Sequence, residues 1–152
     1  MSDTTAHKLV LFDACMRFVN EKESTILSSI KSHQHALQSE TKSSVGDKHE
    51  TGRAMLQLEM EKLSQQLHVV YQMKQVMAKI DYNQQEKMAR LGSIVSTTKG
   101  HYYLAISAGE LLVDTRRYFA VSTDSPIGKL LLGSLPGDQI YFRDTIEIID
   151  VA

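Results

Sequence analysis

The 152-residue sequence has no tryptophan, only two prolines and a single cysteine. Cys15 alone cannot close an internal disulfide, which excludes a disulfide-built secreted scaffold. A lone thiol within an apolar helical pattern reads as a buried, inert side chain in a reducing compartment. Net charge is nearly absent as well, since 17 basic and 18 acidic residues leave a formal charge of -1. Without a global positive field, long-range attraction to phosphate is not implied, and any link to nucleic acid would run through a protein that handles it. No apolar run approaches the roughly 18 residues of a membrane span, and no basic segment with an apolar stretch behind it opens the chain. These absences predict a soluble, cytoplasmic protein. Metal-site spacing is missing too: His33 and His35 stand two apart in a helical pattern, where they face different ways.

Apart from Gly46 and Gly52, glycine and proline are absent before Gly92, and good helix formers fill that region. Apolar residues at Phe12, Met16, Val19, Ile26, Ile30 and Leu37 alternate in steps of four and three once Glu23 and His33 are counted at the intervening positions. Leu56, Met60, Leu63, Leu67, Val70, Met73, Met77 and Ile80 repeat the pattern with one altered step. Each set is a heptad seam. Two such helices joined by a short polar stretch are expected to pair as an antiparallel hairpin, a coiled coil with arms of about 30 residues and on the order of 45 Å. The methionines on or near the seam, Met55, Met60, Met73 and Met77, read as packing.

The texture changes near Gly92. SIVST and HYYLAIS, separated by Lys99-Gly100, read as two strands, and Leu111–Val113 and Tyr118–Val121 as two more. Ser125-Pro126 before IGKLLL, with Gly133 just beyond, is a short-helix signature: a serine cap, proline in the first turn, glycine past the end. Pro136-Gly137-Asp138 is a turn, and QIYF with TIEIIDV closes as a hairpin around Arg143-Asp144. The expected fold is therefore α+β, with a helical hairpin over residues 1–90 and a small, mostly antiparallel sheet domain with one short helix over residues 91–152.

A helical hairpin followed by a small sheet domain containing YFAVSTDSPIGKLLLGSLPGD resembles the Gre transcription elongation factors. The order of elements agrees along nearly the whole chain. The hairpin tip of that family carries a segment beginning Gly-Asp with a glutamate three residues after the aspartate, and Gly46, Asp47 and Glu50 stand at that spacing. The resemblance implies an FKBP-like sheet domain that docks, in part through the Ser125-Pro126 loop, at the secondary channel of bacterial RNA polymerase. It also implies that the hairpin enters the channel, so that Asp47 and Glu50 help hold a polymerase Mg2+ ion and a water for cleavage of backtracked RNA. Mg2+ suits that role, because it takes hard oxygen ligands and commonly uses one or two carboxylates beside water and phosphate. Catalysis would belong to the polymerase, with this chain as an accessory factor that is not itself an enzyme and binds no cofactor alone.

Two features keep other readings open. Asp47 with Glu50 also fits a capping box, satisfying orphan N–H groups at the start of the second helix. Between Glu40 and Arg53, the acids Glu40, Asp47 and Glu50 are matched by Lys42, Lys48 and Arg53. A formally neutral tip is a poorer recruiter of a loosely held cation. It favours a Gre-like regulator that occupies the channel without supporting cleavage. A coiled-coil interaction module with an unrelated partner is the remaining alternative.

Overall fold

The computed structural model describes residues 3–42 and 46–152, with side chains described over 3–39 and 51–152. Two long helices come first: α1 (Asp3–Lys42, 40 residues) and α2 (Gly46–Ala78, 33 residues). The chain divides into two compact units, Val19–Met73 in one and Met1–Phe18 with Lys74–Ala152 in the other.

In the unit formed by Val19–Met73 the seams show directly in the exposure pattern. On α1, positions 19, 23, 26, 30, 33 and 37 are buried or half-buried, and nearly all positions between them are exposed. On α2, positions 56, 60, 63, 67, 70 and 73 do the same. Only Val19, Ile26 and Val70 are fully buried here, because a stripe one residue wide removes water from one side of each side chain only. His33 turns its ring onto its own helix, where Nδ1 sits 2.7 Å from the Ser29 carbonyl oxygen.

The other unit is built on a six-stranded sheet: β1 (Ile94–Thr97), β2 (Gly100–Ala105), β3 (Gly109–Val113), β4 (Arg116–Ser122), β5 (Gln139–Phe142) and β6 (Asp144–Val151). The strand order is β3-β4-β2-β1-β6-β5. All neighbours are antiparallel except β2 and β4. Strand alternation sorts the side chains to two faces. On one, Val95, Leu104, Ile146, Ile148 and Val151 pack with Ala89 and with Ile127 and Leu131 of the short helix α3 (Pro126–Leu131). On the other lie Ile94, Tyr103 and Ala120, in register across β1, β2 and β4. Leu11, Cys15 and Met77, from the helical segments of this unit, are fully buried. Burial pushes the Cys15 thiol up to about 12. Burial, and then the neighbouring Cys15, holds the Tyr103 phenol above its ordinary range.

The expectation of an α+β chain, with long N-terminal helices, a mostly antiparallel sheet and one short helix, matches this architecture. The β3–β4 turn is less ordinary. Asp114 and Thr115 both take positive φ, 51° and 68°, the backbone that a two-residue hairpin turn requires and that glycine or asparagine usually supplies.

Candidate functional site

The Ser125-Pro126 loop is held by a compact set of hydrogen bonds at the end of β4. Ser125 has extended backbone (φ -70°, ψ 158°), and its Oγ accepts from the Gly128 N–H at 3.1 Å, which makes it the N-cap of α3. The same hydroxyl donates to the Ser122 carbonyl at 2.6 Å, and the Ser125 N–H reaches that carbonyl at 3.1 Å. Pro126 occupies the first turn, where its missing N–H costs nothing. Asp124 joins through its N–H, which donates to Ser122 Oγ at 3.1 Å.

Gly128 is what lets α3 sit so close to β4. A Cβ there would lie 1.9 Å from the Ser122 carbonyl oxygen and 2.9 Å from Ser125 Oγ. The sequence patterns single out Ser125 and Pro126 but pass over Gly128 and Ser122. The signal for Gly128 is a glycine inside a helix, where its low propensity asks for a packing reason.

At the other end of the chain, α1 stops at Lys42 and α2 starts at Gly46. Positions 47 and 50 thus fall in the N-terminal turns of α2, while the side chains of Asp47 and Glu50 lie outside the described residues. Asp47 and Glu50 belong to one compact unit, Ser125 and Pro126 to the other.

Beside α3 the sheet presents further surface that the sequence reading did not single out. Phe119, 37% exposed, stacks at 5.8 Å on Tyr102 of the neighbouring strand, and Leu112 on the edge strand is 69% exposed. Register places Leu112 opposite Arg117, and Glu110 opposite Phe119, on that same face. The Arg117 guanidinium meets Glu110 at 3.1 Å. Leu130, Leu132 and Leu135, within and just beyond α3, are exposed as well. At the sheet's far turn, the Lys99 ammonium lies 3.1 Å from Asp144, and its hydrogen bond holds that carboxyl below the usual carboxylate range.

Among the described residues no three His, Cys, Asp or Glu side chains come together in a way that could hold a metal ion. No helix of the described residues is long and apolar enough to cross a membrane.

No protein family matches the sequence, and no curated protein matches it. Among solved structures, the chain is similar to one described as the transcription factor Gfh1, with 16% identity, 86% of this chain and 92% of that chain covered, and a TM-score of 0.34. Likeness at that level carries no argument about activity.

Proposed function

We propose that this chain is a Gre-type transcription factor that binds bacterial RNA polymerase at its secondary channel. The observation that carries this reading is the order of elements joined to one local motif. Two helices of 40 and 33 residues, with three residues between them, precede a sheet in which Ser125-Pro126 caps the helix leading out of β4. At about 1.5 Å per residue, α2 is roughly 50 Å long, a reach suited to carrying its N-terminal turn into a deep channel. The sheet unit, FKBP-like in this reading, supplies the docking surface around the Ser125-Pro126 loop.

Asp47 and Glu50 then act at the tip. Two carboxylates are too few to hold Mg2+ alone, because the ion asks for near-octahedral oxygen coordination. They serve as supplementary ligands for an ion whose other ligands are polymerase carboxylates, RNA phosphate and water. Their part is to hold that ion and orient the attacking water, while the polymerase performs the cleavage.

The matched charges of Glu40, Asp47 and Glu50 with Lys42, Lys48 and Arg53 favour a second reading, occupation of the channel without cleavage. Purified polymerase tests what the two readings share. The chain is expected to co-elute with the core enzyme and to compete with other ligands of the secondary channel; no association at micromolar concentrations overturns both. A gain of RNA cleavage when Lys48 and Arg53 are replaced by acids, from a wild type that cleaves nothing, selects the second.

A further inference from the structure

Between α2 and β1 the chain runs through residues 79–93 without regular structure, and α1 holds this connector at several points. Phe12 stacks on Tyr82 at 5.5 Å. Gln85 Nε2 donates to Thr5 Oγ1 at 3.3 Å. Lys8 Nζ donates to the Gln84 carbonyl at 2.7 Å. Thr5, Lys8 and Phe12 recur at helical spacing, so one stripe of α1 grips the connector.

Lys8 is the unusual member, because it is only 2% exposed. An ammonium has three N–H donors, and a buried one left short of acceptors is costly. The Gln84 carbonyl takes one donor. Burial, then the Arg90 charge, pushes the Lys8 ammonium below its ordinary range, while Asp81 and Glu86 act the other way. Ser93, also 2% exposed, accepts from the Arg90 N–H at 3.0 Å, which leaves its hydroxyl proton to donate. Both residues line a cavity of about 10 Å³, together with Asp81, Gln84, Glu86 and Arg90. That volume is about one water.

We propose that the cavity lined by Lys8, Ser93 and Asp81 is a binding site for one internal water that fastens the connector to α1. The water accepts from the Lys8 ammonium and the Ser93 hydroxyl, filling its two lone pairs, and donates to the Asp81 and Glu86 carboxylates. A single internal water commonly makes about three such bonds. The carboxylates distinguish water from a small anion such as chloride, since they repel the anion and accept from the water. Glu86 is already paired with Arg90 at 2.5 Å, so Asp81 is the stronger acceptor. The site thus gives the irregular connector a fixed polar anchor where no helix or strand ladder supplies one.

The test uses the whole chain. Water-to-amide magnetisation transfer in solution is expected to report one long-lived water near the Gly92 and Ser93 amides, and a high-resolution crystal structure to show it within hydrogen-bond distance of Lys8 Nζ. In Lys8→Met that water is lost, and amide exchange across residues 84–93 rises about tenfold while β6 is unchanged. Should Lys8→Met fail to fold, the wild-type spectra and Ser93→Ala, which removes one donor and shortens the water's residence, still decide. A wild type with no long-lived water there, a water that persists unchanged in Lys8→Met, or an anomalous peak at the site in bromide-grown crystals overturns the proposal.

Discussion

The two compact units divide apolar burial unequally. In Val19–Met73, three apolar side chains are buried, all on the facing stripes of two helices. In the other unit, α3 packs on one face of a six-stranded sheet, and buried side chains line both faces. Length along a helix gains reach but little core, because each added turn contributes about one seam residue that stays partly wet. A layered sheet gains core with every strand. The helical unit is therefore built to carry something at its end, and the sheet unit to be a stable platform.

Matched truncations sharpen this contrast most. Ile148→Ala, in the sheet core, is expected to cost about 2–5 kcal/mol by urea denaturation. Leu63→Ala, on the half-buried seam, is expected to cost clearly less, because part of its surface already faces water. Equal costs would erase the distinction between the units. A harsher change separates them differently. Ile26→Asp places a charge at a position 5% exposed, and far-UV helicity should fall while the near-UV signal of the buried Tyr103 and Tyr118 persists. Unaltered helicity and melting would contradict paired seams.

Smaller effects probe the platform. Gly128→Ala pushes a methyl into the Ser122 carbonyl and should cost roughly 1–3 kcal/mol. Ser125→Ala should cost about 0.5–2 kcal/mol, and Ser125→Gly only a few tenths. If Ser125→Ala leaves stability unchanged but weakens polymerase binding, the loop's contribution is to docking alone.

Alkaline pH offers the last contrast. Native Cys15 keeps its proton up to about pH 12, whereas an unfolded thiol releases it from about pH 8.5. Its contribution to stability is complete below that lower value and is lost as pH rises toward the upper one. Between pH 8 and 9.5, the wild type should lose roughly 1 kcal/mol more than Cys15→Ala. Parallel loss in both would mean the thiol is not shielded.

Much of this architecture could be read in advance, for reasons particular residues make plain. The α2 seam from Leu56 to Ile80 is half-buried or buried at each expected position, because a single facing partner makes burial follow heptad spacing alone. Near the start of α1 the rule weakens. Leu11 and Cys15 are fully buried there, while the seam positions Phe12 and Met16 are only half-buried, because that part of the helix belongs to the unit with the sheet and faces more than one neighbour. The strands and the Ser125 cap were legible from local alternation and turn chemistry. The parallel pairing of β2 with β4 was not, since it joins strands across an intervening β3. Lys8 gave no warning of burial, because a lysine on a helix ordinarily reads as solvent-facing. At the tip, Asp47 and Glu50 were recognisable only by spacing, which capping shares.

The division of labour between platform and tip is tested most directly on stalled, backtracked bacterial RNA polymerase. Binding and RNA cleavage are measured together for the wild type and for the double variant Asp47→Asn, Glu50→Gln. Asn caps a helix about as well as Asp and amides are weaker Mg2+ ligands, so the double variant should fold and bind polymerase with nearly unchanged affinity while losing whatever cleavage the wild type stimulates. Wild-type chain that does not bind polymerase, or cleavage that survives both substitutions, would contradict the account.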